Sequence, residues 1–429
     1  MQIELAYGRE GHTVVLPDGV DVVRPRFMAG LSDEESALLD ALRQPIASPP
    51  LAKLVKPGNT VVIVHTDITR ATPNDRILPV ILDELERAGI ARKDITLLNG
   101  LGTHRPQTED ELRGMLGSDV YDNYRCLQHD CQDDPNLISL GKTSLGHPVR
   151  INRHYLEADV RILTGFIEPH FFAGFSGGPK AILPSLAGVE SVFSNHGLHM
   201  IANPNATWGQ IEGNPIWEEM RDVALRTNPT FLLNVTLNTN REITGIFAGE
   251  MLAAHAAGCA FVKEQAMVAV DQAYDIVLTT NSGYPLDQNL YQAVKGMSAA
   301  AQVVRAGGAI IIAAACEDGL PDHGRYAEIL AEAGSPQGVL DMITQPGFSV
   351  QDQWQVQIQA QIQLRADVHV FSHNLSDEQI RRALFTPCRD IEGTIARIQA
   401  ENGPAARICV IPEGPQTIPY IKEKQAAEI

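Results

Sequence analysis

Early in the chain, three runs of Val, Ile and Leu each stop at a cluster of polar residues and glycine, and two of them then pass into helical spacing. Thr60–His65 gives way to Thr66-Asp67-Ile68-Thr69-Arg70-Ala71-Thr72-Pro73, then to a helix expected over Asn74–Ala88, where Pro73 suits the first turn. Ile95–Leu98 runs into Asn99-Gly100-Leu101-Gly102-Thr103-His104-Arg105-Pro106, with a helix expected from about Thr108 to Leu116. Asp159–Gly165 leads into Glu168-Pro169-His170-Phe171-Phe172-Ala173-Gly174-Phe175-Ser176-Gly177-Gly178-Pro179-Lys180, with Ser194-Asn195-His196 further on. Strands that alternate with helices predict a doubly wound α/β fold, whose chemistry gathers at the carboxyl ends of the strands.

The third junction is the richest. Its glycines offer N–H groups that can face a phosphate, and Lys180 offers an amine for charge or covalent bonding. It is not a Walker loop. Pro179 separates Gly178 from Lys180, and Ala181 stands where a magnesium-binding hydroxyl belongs. An anion-binding turn is compatible with these residues; an ATPase is not. The plain reading of such a stretch is a glycine-rich turn carrying a solvated lysine.

A chain of 429 residues exceeds one ordinary core, so two domains or more are expected, and two that close on each other would leave a cleft between them. The first is placed over residues 1–270 and carries the histidines and Lys180. The second is placed over 271–405 and closes the cleft, with a tail over 406–429 packing back on the first. Within the first, Gln2–Tyr7 and Thr13–Leu16 read as a hairpin, and Ser32-Asp33-Glu34-Glu35 reads as a capping box opening a helix over Ser32–Leu42. Thr230–Leu237 and Glu242–Phe247 read as strands joined by Asn238-Thr239-Asn240, and Met251–Val268 as a long helix. The strand–helix rhythm restarts at Asp275–Thr279. Asp352–Gln363 alternates Gln with Val and Ile and fits either a strand or a polar-faced helix.

A net charge of −18 opposes nucleic acid or an anionic membrane surface as a partner, so an acidic substrate needs its own local cations. The start of the chain lacks a basic leader followed by an apolar core, and six scattered cysteines suit reduced thiols; the expected location is the cytoplasm. Cys126, His129 and Cys131 lie close together, as do His196 and His199, but neither group completes a zinc spacing. His147, His154, His323, His369 and His373 have no motif around them and read as surface or packing residues. His104, His170 and His196 differ by position, since they follow strands or sit within the glycine-rich element. Histidine is the natural base near neutral pH and a common metal ligand. Tyr291 and Lys295 fall four residues apart on one helical face, in a segment whose plain reading is an exposed helix start.

Taken in order, Asp67-x-Thr69-Arg70-x-x-Pro73, Gly102-Thr103-His104-Arg105, Glu168-Pro169-His170 to Lys180, Asn195-His196 and Tyr291-Gln292-x-x-Lys295-Gly296 resemble the nickel-dependent lactate racemase family. The resemblance implies a two-domain α/β fold with the active site in the interdomain cleft, and a nickel-pincer nucleotide, derived from nicotinic acid, thioamide-linked to Lys180. His196 matches the histidine that completes nickel coordination, and His104 and His170 match a pair of acid/base histidines. Asp67, Arg70, Ser176, Gly177, Gly178 and Tyr291 match the cofactor's surroundings. Arg70, Gln292, Lys295 and Trp354 match the substrate's. The implied activity is racemisation of a small 2-hydroxy acid, lactate or a close analogue. Hydride would leave C2 for the cofactor and return to the other face, avoiding abstraction of a poorly acidic proton beside a carboxylate. Loading the cofactor would require partner enzymes that build the pincer and insert nickel.

Three rival readings remain open. One is a racemase or epimerase of the same mechanism acting on an aromatic, dicarboxylic or sugar acid. Another is a non-catalytic metal- or nucleotide-binding protein, which would need no acid/base pair. A conventional NAD-dependent dehydrogenase is disfavoured, because no Gly-x-Gly-x-x-Gly follows a first strand.

Overall fold

The computed structural model describes residues 1–321, 324–403 and 405–422; His323 and the end of the tail lie outside the described residues. An antiparallel hairpin of β1 (Gln2–Leu5) and β2 (His12–Val15) opens the chain, followed by β3 (Asp21–Val22). Next come β4 (Val61–Thr66), β5 (Ile95–Gly100), β6 (Arg125–Gln128), a hairpin of β7 (Leu137–Lys142) with β8 (Pro148–Asn152), and β9 (Val160–Phe166). β10 (Pro169–His170) pairs with β11 (Gly174–Phe175), folding the glycine-rich stretch back on itself. β12 (Phe231–Leu237) and β13 (Ile243–Gly249) form the expected hairpin, and β14 (Met267–Val270) ends this half. The rest are β15 (Tyr274–Thr280), β16 (Val304–Ala313), β17 (Ala366–Phe371), β18 (Thr386–Cys388), β19 (Ile408–Ile411) and β20 (Ile418–Ile421).

Two six-stranded sheets result, ordered β13-β12-β9-β4-β5-β6 and β18-β17-β16-β15-β19-β3. The first is parallel except for β13, and the second is parallel throughout. Their central strands are apolar on both faces, as a sheet covered on each side by helices requires: Val61 through His65 are all buried. One apolar core runs from the first sheet (Val62, Leu98, Leu163) to the second (Val277, Ile310, Ile312), so the two sheets share packing rather than a bare linker.

The doubly wound α/β class holds, with differences in detail. A contiguous first unit over 1–270 does not describe the packing of the amino terminus. β3 pairs with β19, and Ile3, Leu5 and Val14 cover Ile276, Leu278 and Ile311 on the outer face of the second sheet. Of the expected tail, β19 is instead an inner strand of the second sheet, between β15 and β3, while β20 returns to the first half and pairs with β14. The first helix spans Glu34–Arg43 and is capped by Asp33, whose carboxylate accepts the Ser36 N–H at 3.0 Å. With Ser36 three residues after the cap, no acid can reach back, so the capping box expected at Ser32 does not form; one forms instead between Thr108 and Glu111.

The glutamine-rich stretch is a helix, Gln353–Arg365, and its glutamines do not make a solvated face. Gln353, Gln355, Gln357 and Gln359 are buried, with Gln355, Gln357 and Gln359 donating to the carbonyl oxygens of Tyr291, Leu198 and Ala383. Buried amides need such partners, and a carbonyl oxygen has a second lone pair to offer even when a helix uses the first. Among the described residues, no helix is long and apolar enough to cross a membrane.

Candidate active site

In the first sheet the strand order reverses between β4 and β9, because β5 and β6 extend to one side of β4 while β9 and β12 extend to the other. A crevice opens at the carboxyl ends of strands at such a point. Asp67 follows β4, His104 follows β5 and Glu168–Lys180 follows β9, so three separate polar junctions meet there. Facing them is the start of the helix Leu290–Ala301, which Asn289 caps by accepting the Gln292 N–H at 3.0 Å. The cleft encloses about 890 Å3, counting its open mouth, and Asp67, Arg70, His104, His170, Lys180, His196, Tyr291, Gln292, Lys295 and Trp354 all line it.

Asp67 is buried. Its Oδ1 accepts the Thr69 N–H at 3.1 Å and the Thr69 hydroxyl at 2.6 Å, while its Oδ2 meets His104 Nδ1. Burial pushes the carboxyl up, but His104, Arg70 and the Thr69 hydroxyl outweigh it and hold it at about 2. An ionised carboxylate only accepts, so Nδ1 of His104 carries the proton and neutral His104 presents a lone pair at Nε2.

His170 is the opposite case. The Ala173 N–H donates to its Nδ1 at 3.3 Å, which places the proton of the neutral ring on Nε2. Burial, together with Lys180, Lys295, Arg70 and His196, holds its imidazole well below the usual histidine range. One histidine therefore offers an acceptor to the cleft and the other a donor.

Lys180 lies in the short turn Gly178–Ala181 and is buried, its Nζ 5.5 Å from the centre of the Phe172 ring. Burial lowers its amine far below the lysine range, and Arg70 and Lys295 add repulsion that Glu168 only partly offsets. A neutral buried amine is a nucleophile. His196 caps the helix Val189–Asn195 and gives its Nδ1–H to Asn195 Oδ1 at 3.0 Å, leaving Nε2 free. Phe172 and Trp354 meet its ring edge-on at 4.9 and 5.4 Å between centroids. Burial, then Lys180, keeps this imidazole neutral, as a metal ligand must be.

Cations from both walls and an unsatisfied polar group meet in the cleft. Lys295 is brought down to about 7 by burial and by Arg70, against the pull of Glu168 and Asp67. Gln292 Oε1 is buried with no hydrogen-bond partner among the described residues, an expensive state unless a ligand donates to it. Among the described residues, the hydrogen bonds of the Arg70 guanidinium go to the Thr69 carbonyl and hydroxyl oxygens, each at 3.3 Å. Tyr291 and Trp354 are tied together by a 2.9 Å bond from the indole N–H to the phenol oxygen. Glu168, buried between Arg70, Lys295, Lys180 and Arg241, is raised by its burial despite them. The local field is thus positive in a strongly acidic chain.

Ser176 and Gly177 also line the cleft, and the bonds of this turn show how it is held. The Ser176 hydroxyl donates to Phe166 O at 2.8 Å and accepts the Glu168 N–H at 2.9 Å, so it clasps the turn. The Gly178 N–H goes to Asn234 Oδ1 at 2.9 Å. Both glycines have positive φ, and a Cβ would strike Asn234 Oδ1 at 2.6 Å from Gly177 and the His255 ring at 2.5 Å from Gly178. Neither glycine has room for a side chain, and the Ser176 and Gly178 amides are engaged within the protein. Asn234 and His255, which hold this turn, were not singled out from sequence; the available clue was a polar residue inside the apolar run Leu232-Leu233-Asn234-Val235. His129 has both ring nitrogens engaged, by Ala187 O and the Asn152 amide, and His199 is exposed away from the cleft lining.

Comparison with known proteins finds the family of the whole chain. A family model described as the lactate racemase N-terminal domain matches residues 7–209, and one described as the lactate racemase C-terminal domain matches 269–418. The chain is 37% identical to lactate racemase of Thermoanaerobacterium thermosaccharolyticum over 98% of this chain and 99% of that one. It is 38% identical to lactate racemase of Lactiplantibacillus plantarum over 89% and 90% of the two. The solved apoprotein of the Thermoanaerobacterium enzyme superposes with a TM-score of 0.90 at 36% identity, covering 98% of this chain and all of the other. A solved Thermotoga maritima protein shares the fold at a TM-score of 0.71 and 19% identity, over 92% of this chain and 100% of that one.

Proposed function

The chain belongs to the lactate racemase family, and on that premise we propose that it interconverts the D and L forms of a small 2-hydroxy acid, lactate or a close analogue. The observation that carries this reading is the pair of histidines in one cleft, set with opposite hydrogen-bonding capacity at Nε2. A binding protein has no use for such a pair, whereas a reaction that passes a proton to and from a hydroxyl does.

A nickel-pincer nucleotide tethered to Lys180 fits the residues present. Lys180 has the neutral buried amine that a covalent link needs. His196 has a free Nε2 on a ring kept neutral, and a lone imidazole beside sulfur and carbon donors suits Ni(II). Asp67, Arg70 and Tyr291 line the space around it. When bound, the group supplies an acceptor for hydride from C2.

The chain's own residues supply the rest. Arg70 and Lys295 attract the substrate carboxylate into a positive cleft, where charge-assisted hydrogen bonds are stronger than in water. Gln292 lines the same space and presents a buried Oε1 with no partner among the described residues. His104 Nε2 takes the hydroxyl proton, and Asp67 steadies the charge that His104 gains. His170 Nε2–H donates to the substrate oxygen from the other side. For the opposite enantiomer the roles exchange, and the 3.3 Å bond from Ala173 is long enough to yield. Phe172 and Trp354 keep water from His196.

The test is peptide mass analysis of protein made together with pincer-building enzymes and nickel. A nucleotide-sized thioamide adduct is expected on Lys180, and Lys180→Ala should lose both adduct and lactate racemisation. Full racemisation by a protein whose Lys180 is unmodified would sink the tether.

A further inference from the structure

A buried polar chain leaves the cleft from His196. Asn195 Oδ1 accepts the His196 Nδ1–H at 3.0 Å, and Asn195 Nδ2 donates to Glu219 Oε2 at 2.9 Å and to Ile216 O at 3.2 Å. The other oxygen of Glu219 accepts the Nδ1–H of His147 at 2.9 Å. These side chains come from the end of the helix Val189–Asn195, from the helix Pro215–Arg226 and from the turn between β7 and β8. Asn195, His196 and Glu219 are buried, whereas the His147 side chain is 28% exposed, so the chain runs from the cleft to the surface.

Its direction is dictated by chemistry. A carboxylate only accepts hydrogen bonds, and so does the Ile216 carbonyl, so both demand the NH2 end of the Asn195 amide. The amide oxygen must then face His196, which must in turn carry its proton on Nδ1. Nε2 is left as the lone-pair nitrogen facing the cleft. A buried carboxylate is costly to hold and stabilises a fold little by itself, which makes a positioning role the better account of Glu219.

We propose that Glu219 is a positioning residue that, through Asn195, locks His196 in the tautomer that binds nickel, with His147 anchoring Glu219 from the solvent side. The proposal rests on the nickel reading of the cleft given above. Partners behind a metal-bound histidine set its tautomer and orientation, and their loss typically costs about 10- to 100-fold in metal affinity.

The experiment uses the cofactor-loaded protein and follows nickel release to a chelator by metal analysis and by the visible absorption of the bound group. Glu219→Ala is expected to release nickel about 10-fold faster than the parent. Glu219→Gln, which can still accept from Asn195, is expected to stay within about threefold and to restore the parent spectrum. His147→Ala should fall between them, at about threefold faster release. Melting temperatures of the unloaded variants separate this from general loosening, which would lower stability without a rescue of nickel retention by Gln. Release at the parent rate in Glu219→Ala, or equally fast release in Glu219→Gln and Glu219→Ala, overturns the proposal. Should Glu219→Ala fail to fold, parent-like release in His147→Ala overturns it instead. His196→Ala discriminates the premise: if that variant keeps its nickel, the metal assignment is what fails.

Discussion

The two sides of the cleft differ most around their histidines. His104 keeps 24% of its side chain exposed and leans on an ionised carboxylate, with Asp352 also near enough to feel its charge. His170 is buried among Lys180, Lys295, Arg70 and His196, with a backbone N–H as its hydrogen-bond partner. One ring gives its Nδ1–H to a carboxylate, while burial and the surrounding cations hold the other well below the usual histidine range. A racemase must serve mirror-image substrates, yet a protein built of L-residues cannot present mirror-image walls. The equilibrium constant between enantiomers is one, so kcat/KM must match in the two directions whatever the asymmetry. The difference between the walls can therefore appear only in how kcat and KM share that common value.

The largest effect expected comes from removing either histidine. His104→Gln and His170→Gln should each lower kcat/KM by about 10²- to 10⁴-fold, equally for D and L lactate, while nickel content stays at the parent level. Rates from each pure enantiomer with parallel metal analysis check this. Near-parent turnover in His170→Gln alone would reduce that residue to a wall of the cleft and break the pairing.

A loss at the lower end of that range, about 10²-fold, is expected from Asp67→Asn, because an amide no longer dictates which nitrogen of His104 bears the proton. This variant brings the two sides closer in character. Its stability also reports on the pair. The folded carboxyl is held at about 2, below its ordinary 3.8, so its contribution is present above that ordinary value and lost as pH falls through about 2. The size is about 2 kcal/mol, and the variant has none of it to lose. Urea midpoints taken from pH 5 downward should fall in the parent and stay flatter in Asp67→Asn.

Much of this cleft was legible before any fold was known, and the reason is local. Asp67, His104 and His170 sit where apolar runs stop, and a chain alternating strand and helix brings such stops to one edge. The role of Lys180 was reached through the resemblance, since a glycine-rich turn with a lysine also reads as solvated surface. The amide directions of Gly178 and the clasp of Ser176 were not legible, because they depend on Asn234 and Phe166 across the sheet. Nor was the pairing of β3 with β19, which joins residues nearly a whole chain apart. His147 looked idle for the same reason: Glu219 meets it only after a hairpin and a helix are packed together.

The last expectation concerns Lys295, which belongs to the cationic side and should produce the smallest loss of rate. Its amine titrates at about 7, so raising the pH through that value discharges it and loosens the substrate carboxylate. KM for lactate should climb above neutral pH in the parent. In Lys295→Met, KM should be about 10- to 100-fold higher at pH 6, as loss of a charged hydrogen bond predicts, and nearly flat with pH. Stability should move the opposite way. Between about 7 and the ordinary 10.5 the unfolded lysine binds a proton that the folded one does not, so stability rises with pH across that window. Below it both states are protonated, and the folded protein carries the full cost of a buried cation. Lys295→Met should therefore melt higher than the parent at pH 6, with the advantage shrinking toward pH 9. A variant that binds lactate worse but folds better would show that the cationic wall is kept for the substrate. A variant that lost stability at pH 6 would instead make Glu168 and Lys295 a structural pair, and the contrast between the two histidines would need another origin.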